Sequence, residues 1–501
     1  MQNKTTLFLI PLFCMSLNAC TALKNLSQQH FPQNTINTTK VADRWQATLP
    51  HGGNSANLAQ FWQQYQDPLL LKLIEAAQKE SSSIATANSR IAQARATRTQ
   101  ANAALTPTVD GSVSASRSVQ QPATSIGGSQ QGNIGGGSGA FNNAQISAQA
   151  SWELDIFGVN RGAFEASKAQ ENATLASWHE ARVSVAAETA NAYFNQRFCS
   201  TQANVLEADV ISRTETLRLT NIAVKAGFSA PANSHLAEAS LADARQQRTA
   251  QMAQCDLEVK ALVALTAIDE ATLREKLNQQ DFVRLHESTN NLFTLNEIPA
   301  QVIAQRPDIY AAEADLVSAA ADIQTTYASS LPKVSLNGSI GWMWLSGSGF
   351  STNGKTWSLG PISITFPIYH PGVKEATLAS SEAKYEEKAS IYRSKVRTAV
   401  KEVEDALVNL HSAHSRQADI AQAIQSYQAS FDAMQTKVNA GFANLIDLED
   451  QRRVLLNART NAINNQKQQA VAWVSLYRAA GGGWDKTEKL KIEQLETGST
   501  P

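Results

Sequence analysis

The chain has 501 residues, 43 basic against 44 acidic side chains, and 7% aromatic residues. Balanced charge leaves no basic footprint for nucleic acid. No run of about 18 apolar residues exists, so no helix is predicted to span a membrane.

The first segment reads as an address. Lys4 supplies a positive start, and Leu7 to Leu17 is an apolar run too short to cross a bilayer. It ends in Leu17-Asn18-Ala19-Cys20, which is similar to a bacterial lipobox. Residues 1–19 are then a signal peptide and Cys20 the acylated new N-terminus. Plain signal cleavage beside a chance Cys is the alternative. Thr21 follows where an Asp would favour inner-membrane retention, so the outer membrane is the expected destination. Residues 20–68 form the lipidated N-terminal segment.

From there the chain says the same thing twice. Pro107 and Pro332 each close a helix-like run and open an alternating one. Ile156-Phe157-Gly158 is matched by Ile368-Tyr369-His370-Pro371-Gly372, and Ala226-Gly227-Phe228 by Ala440-Gly441-Phe442. The pairs lie 225, 212 and 214 residues apart. Units of this length are too long for a solenoid repeat, so two tandem copies of a helix–hairpin–helix module are predicted. Repeat 1 covers 69–300, with helices at about 69–104, 160–225 and 233–265 and strands at about 107–118 and 143–157. Repeat 2 covers 301–480, with helices at about 309–329, 372–440 and 445–480 and strands at about 332–345 and 356–369. Residues 481–501 are a tail whose Lys486, Lys489 and Lys491 are interspersed with Glu, a solvated surface.

The strands carry the most specific pattern. Small and apolar residues alternate with polar ones at Val109, Gly111, Val113 and Ala115, and at Ile146, Ala148, Ala150, Trp152, Leu154 and Ile156. They do so again at Val334, Leu336, Ile340, Trp342 and Trp344, and at Ile362, Ile364, Phe366 and Ile368, after a break near Gly360-Pro361. Period two gives one apolar and one polar face. Runs of about ten residues suit a tilted transmembrane strand. The polar faces are rich in Ser, Asn, Gln and Asp, as a water-filled lumen requires. Trp152, Phe157, Trp342, Trp344, Trp357 and Tyr369 are expected at strand ends, at the lipid interface. A soluble β-domain packed on helices is the alternative. Four strands cannot close a barrel, and open edges are not tolerated in lipid, so other chains must complete the sheet. Residues 120–143 read as a flexible surface loop; Gly135-Gly136-Gly137 lacks the Lys-Ser/Thr of a phosphate loop.

The run from Gly372 to Ala440 has no internal Pro or Gly. Its seam steps by three and four through Ala389, Tyr392, Val396, Ala399, Val403, Ala406, Leu410, Ala413, Gln417, Ile420, Ile424, Tyr427, Phe431, Met434 and Val438. A sustained heptad pattern predicts coiled-coil packing along one unbroken helix. Cys199 lies 28 residues before Gly227 and Cys255 lies 28 after it. A helical hairpin turning at Gly227 brings them level, and a secreted compartment permits a disulfide. Two buried thiols are the alternative.

The lipobox, the doubled module, Trp152-Glu153-Leu154-Asp155-Ile156-Phe157-Gly158 and Arg306-Pro307-Asp308-Ile309 together resemble the outer-membrane efflux protein family of TolC-like channels. So do Gly441, Asp447, Asp450-Gln451-Arg452 and Leu455-Leu456. The lipoprotein branch serving resistance-nodulation-division (RND) pumps is the nearest type. The resemblance implies an α+β membrane protein. In it a trimeric outer-membrane β-barrel, four strands per chain and twelve in all, is continuous with a long periplasmic α-helical barrel. It implies a belt from residues of about 21–66, 270–300 and 481–501. It implies passive conduction of drugs or other small molecules delivered by an inner-membrane pump and a periplasmic adaptor. Metal-ion efflux and type I protein secretion are the alternative cargoes, and a non-pore coiled-coil scaffold the other class.

The resemblance also places a periplasmic gate just after the second tip, at Ile446, Asp447 and Asp450, with Glu449 close enough to add to a negative ring. An acidic helix start favoured by the backbone dipole is the plainer account of these carboxylates. Gly227, Phe228, Gly441 and Phe442 are the expected adaptor contacts, though each Phe could instead staple its own hairpin. His411 and His414 are spaced for a metal, but no Cys or carboxylate cluster completes a site. No GxSxG, HExxH, CxxC or Walker A pattern occurs, so no metal, cofactor or enzyme activity is expected.

Overall fold

The structure, a computed structural model, describes residues 32–39, 41, 45–47, 61–64, 67–119, 140–279, 299–347 and 350–484. Cys20, the signal segment, most of the 120–143 loop and residues 485–501 lie outside them. The described elements run α1 (Pro32–Thr38), α2 (Phe61–Gln64), α3 (Pro68–Glu80), α4 (Ser82–Ala103), β1 (Thr108–Val119), β2 (Ala140–Leu154), α5 (Val159–Lys225) and α6 (Pro231–Thr266). There follow α7 (Glu270–Gln279), α8 (Pro299–Ala304), α9 (Pro307–Ser329), β3 (Lys333–Gly347), β4 (Phe350–Thr365), α10 (Val373–Ser415), α11 (Gln417–Asn439) and α12 (Leu445–Ala479). No described helix is long and apolar enough to cross a membrane. The chain divides into two compact units.

The first unit takes in residues 91–173 and 313–391 and holds all four strands, antiparallel in the order β1-β2-β3-β4. Register is what makes the sheet two-faced. Val109 faces Ala150 and Val113 faces Ile146. Ile146 faces Trp342, and Trp152 faces Leu336. Ile340 faces Trp357, and Val334 faces Ile364. Paired residues share a face, so these side chains form one apolar surface. It is uncovered: Val113 is 79% exposed, Trp357 77% and Leu359 83%. The opposite face is polar. Hydroxyl pairs cross it between Ser112 and Ser147 (2.9 Å), Ser335 and Ser363 (2.7 Å), and Ser339 and Ser358 (2.8 Å).

β4 differs from the expected 356–369. It starts at Phe350, and a bulge opposite Leu336/Gly338 carries it through Gly360-Pro361. Pro lacks the N–H that a ladder needs, and a bulge accommodates it without ending the strand. Trp357 therefore sits in mid-strand rather than at an end. Beside the sheet, Glu171 is buried and paired with Arg98 at 2.8 Å and Arg95 at 3.4 Å. α9 and α10 join through Leu316, Ile323, Tyr385 and Ala389. Gly162 lets α5 lie against α9, because a Cβ there would stand 2.4 Å from Thr325 Oγ1.

The second unit takes in residues 39–90, 174–312 and 392–484 of the described chain. Its core gathers Tyr193, Leu262, Leu273, Leu407 and Trp473 with Phe61 from the N-terminal segment and Leu70 and Leu73 from α3. Phe61 stacks on Tyr477 at 4.9 Å, and Trp62 meets the same ring edge-on. The Glu404 carboxylate accepts the backbone N–H groups of Gln46 (2.7 Å) and Ala47 (2.8 Å), strapping the segment down. Arg306 forks onto Asp308 and also donates to Glu402 and to the Ala479 carbonyl, so the Arg306-Pro307-Asp308-Ile309 motif locks the end of α12. Gly481 packs on backbone there, where a Cβ would meet Gln305 O at 2.4 Å.

Two helices expected to be continuous are broken. The 69–104 run splits at Ser81, whose backbone is extended (φ −66°, ψ 121°) and whose hydroxyl accepts from Ile84 N, capping α4. The 372–440 run splits at Arg416. Asn465 from α12 donates to the Ala413 carbonyl at 2.9 Å, and Arg416 Nε donates to the Ser412 carbonyl. Side chains that occupy carbonyls of the i→i−4 ladder bend a helix. The seam changes at the same point: Ala389 to Ala413 is buried, whereas no residue of α11 is.

Cys199 and Cys255 are joined in a disulfide with Cα atoms 5.4 Å apart, tying α5 to α6. The bridge closes a 56-residue separation, a constraint worth up to about 4 kcal/mol through the unfolded state. Replacing both cysteines by Ser is expected to lower the thermal unfolding midpoint by several degrees. A detergent melting curve unchanged from the parent would show that the bridge carries no such load.

Candidate functional site

Both hairpins turn by the same device. At the first, Gly227 has φ +79°, with Gly227 N donating to Val224 O (3.0 Å) and Phe228 N to Ala223 O (2.8 Å). At the second, Gly441 has φ +77°, with Gly441 N donating to Val438 O (3.0 Å) and Phe442 N to Lys437 O (2.8 Å). This is a Schellman closure, and its left-handed residue favours Gly. Such closures commonly tuck the next side chain against the helix. Here they do not: Phe228 is 89% exposed and Phe442 85%. The stapling alternative is therefore excluded, and each tip presents an uncovered ring.

The second turn leads into α12 through Asn444, whose side chain accepts from Asp447 N at 2.8 Å. Leu445 and Leu448 are buried against Ala237, with Leu217, Phe431, Met434 and Val438 around them. Helical spacing then turns the intervening residues outward. Ile446 is 58% exposed, Asp447 and Asp450 are exposed, and Asp450 pairs loosely with Arg453 at 3.1 Å. The three expected gate residues thus share the open face of one helical turn.

Glu449 does not join them. Its carboxylate accepts from Arg213 Nη1 at 2.6 Å, from Ser240 at 2.7 Å and from Arg452. Arg213 also binds Asp209 at 2.8 Å, and Arg452 donates to Thr216 (2.8 Å) and Ser212 (3.2 Å). Arg452 is 3% exposed and lies over the Phe431 ring. Burial pushes its guanidinium below the usual range, with Glu449 opposing. The expectation that Glu449 adds to an outward negative ring is corrected: an inward anion is held because buried Arg452 and half-buried Arg213 need it. Alternating charge at Asp209, Arg213, Glu449 and Arg452 was readable in the sequence; that the four converge across α5 and α12 was not. Among the described residues no group of three His, Cys, Asp or Glu could hold a metal.

An open four-strand sheet with one greasy and one hydroxyl-lined face, joined to long helical hairpins that end in exposed rings, defines a channel-forming protein of the outer-membrane type. The chain belongs to the outer membrane efflux protein family, whose sequence profile matches residues 73–267 and 298–482, one stretch for each repeat. It is an outer-membrane efflux channel. The solvent efflux pump outer membrane protein SrpC of Pseudomonas putida is 24% identical over 487 residues, spanning 96% of this chain and 99% of that protein. The cation efflux system protein CusC of Escherichia coli is 25% identical over 363 residues, 72% of this chain and 77% of that protein. The crystal structure of the Campylobacter jejuni CmeC outer membrane channel superposes with a TM-score of 0.75 at 24% identity. It covers 88% of this chain and 92% of that one. Family members are channels rather than enzymes.

The buried and the open charges of the tip should respond differently to truncation. Arg452→Ala removes a buried guanidinium with its bonds to Glu449, Thr216 and Ser212 and is expected to cost about 2 kcal/mol. Arg453→Ala removes only an exposed partner and should stay within about 0.5 kcal/mol. Thermal melts of the two variants side by side check the order.

Proposed function

We propose that three copies of the chain close one twelve-strand barrel through the outer membrane and one periplasmic tunnel beneath it. The tunnel conducts small molecules passively. An inner-membrane RND-type pump supplies them through a periplasmic adaptor, and Cys20 carries the lipid anchor. One observation carries the reading: the apolar face of the sheet is uncovered, while β1 and β4 are edge strands with no further partner among the described residues. In lipid an unpaired backbone edge costs several kcal/mol per group, so β4 of one copy must meet β1 of the next. Such head-to-tail pairing closes into a ring when the rotation fits. Detergent-purified protein should migrate as a trimer without heating and as a monomer after it. A monomer that stays soluble without detergent would sink the proposal.

In this reading Ile446, Asp447 and Asp450 line the narrow end of the tunnel, where three sets of carboxylates converge. Like charges on a narrow axis repel and attract cations. Asp447→Ala with Asp450→Ala is expected to raise single-channel conductance several-fold and to weaken cation preference. Conductance equal to the parent's would place the constriction elsewhere. Phe228 and Phe442, exposed at the two turns, supply the adaptor's anchor points; aromatic anchors commonly dominate such contacts. Phe442→Ser should leave stability within about 0.5 kcal/mol yet reduce adaptor capture at least ten-fold in a pull-down titration. Cargo remains the pump's choice. Relatives named for solvent and for cation efflux both match this chain in sequence, so metal-ion export stands as the second reading.

A further inference from the structure

The polar face of the sheet is not polar throughout. Along it run Thr108, Asp110, Ser112, Ser114, Ser116 and Ser118 on β1, paired with Ser151, Gln149, Ser147, Gln145, Asn143 and Phe141 on β2. Asn143 pairs in turn with Leu345, Gln145 with Met343 and Gln149 with Ser339. Leu345 pairs with Thr352, and Gly347 with Phe350. Large apolar side chains on this face are therefore Phe141, Met343, Leu345 and Phe350, and all four sit at one end. That end is the one remote from the helices, since α4, α5, α9 and α10 attach at Thr108, Leu154, Lys333 and Thr365.

The other face inverts at the same level. Level with Trp344 and beyond it, that face carries Asn353, Arg117, Asn142, Ser346 and Ser351, with Val119 the one large apolar residue among them. A strand that leaves lipid becomes polar outside, which accounts for one face. Nothing in that exit requires the inner face to turn apolar. The two rings are moreover in contact, with centroids 5.9 Å apart at 49°. Gly347 between them has no side chain; a Cβ there would stand 2.5 Å from Phe141 Cδ1 and 3.0 Å from Phe350 Cε1. Phe350 nevertheless keeps 45% of its surface exposed, so the pair is not filling a core.

We propose that Phe141, Met343, Leu345 and Phe350 form an apolar collar on the lumen side of the barrel's outer mouth, a binding station for the aromatic or apolar part of an exported molecule. This rests on the trimeric pore reading above. Three copies place three Phe pairs around one exit, after a lumen otherwise lined by hydroxyls and amides. A ring face attracts apolar and cationic groups alike, and thioether and aliphatic neighbours adapt to varied shapes. A cargo that is apolar and positively charged is the best match.

Single-channel recording in planar bilayers tests it, with tetraphenylphosphonium added to the loop side as the probe. Tetraethylammonium, of equal charge without rings, is the control. The probe is expected to interrupt the current and the control not to. Phe141→Ser with Phe350→Ser should shorten the interruptions about ten-fold, while Phe141→Tyr with Phe350→Tyr retains them. Where the double Ser variant does not assemble, Phe350→Ser alone should shorten them about three-fold. Wild-type channels that conduct normally but show no interruptions, or Ser variants that keep them at full length, overturn the collar and leave the pore standing. Wild-type protein that never conducts overturns the pore, and the collar with it.

Discussion

The backbone of an edge strand cannot be left unpaired in hydrocarbon, and the rest of this molecule answers to that constraint. Four strands from one chain give a sheet with two open edges and one greasy face. The chain cannot hide that face internally, because its helices bury their own seams. α10 buries Ala389, Val403 and Leu410 against neighbours in its own units, and the sheet's apolar face stays exposed. The sheet is thus completed from outside, by lipid on one side and by identical strands at the edges. Small residues on the helices serve the same end. Close approaches such as Gly162 on Thr325, and the alanines at 186, 187, 190 and 192, let helices pack with little bulk.

The two copies of the module have diverged in how their hairpins are held. The first is tied covalently, Cys199 to Cys255, and its return helix begins with Pro231 at its first position. The second has no bridge. It is held by hydrogen bonds that straddle Gly441: Ser430 with Gln451, Arg459 with Gln428, Arg416 with Gln468 and Asn465 with the Ala413 carbonyl. Polar links of this kind exchange with water at modest cost, about 1 kcal/mol each, whereas a disulfide does not. The covalent tie stands on the first hairpin, and the exchangeable one on the hairpin that carries Ile446, Asp447 and Asp450, the proposed gate. The buried cluster of Asp209, Arg213, Glu449 and Arg452 then fastens the second hairpin to the first, within the same unit.

Much of the architecture was legible because it follows from short-range rules. Period-two alternation fixes a strand face whatever its neighbours do, and the two Ala-Gly-Phe tripeptides specify a left-handed turn residue by themselves. The disulfide was readable as arithmetic about a turn. What escaped depends on contacts between distant segments. The break at Arg416 has no local breaker; Asn465, dozens of residues away, captures the carbonyl. The span of β4 was misjudged at its start because Phe350 to Lys355 is mostly small and polar, and only its partner β3 reveals that the pairing reaches Phe350. Glu449 was misassigned for the same reason: on one helix it is another acid beside Asp447 and Asp450, and only α5 and α6 supply the guanidinium and hydroxyl that turn it inward.

The polarity of the sheet shows how two rules acting together place a feature neither could alone. Alternation assigns each side chain to a face, and register assigns it to a height. Taken by alternation only, Phe141 and Phe350 are stray apolar residues on polar faces, and Arg117 is a stray charge on an apolar one. Register brings Arg117 level with Asn142, Ser346 and Ser351, and sets Phe141 beside Gly347 and Phe350. The exceptions then gather toward one end of the sheet, with opposite signs on its two sides. A bilayer boundary explains the outer sign. The inner sign has no such cause, and an apolar surface kept half-open to water costs about 25 cal/mol for each Å² left uncovered. That standing cost is offset whenever something apolar passes, which is the condition under which an export channel works.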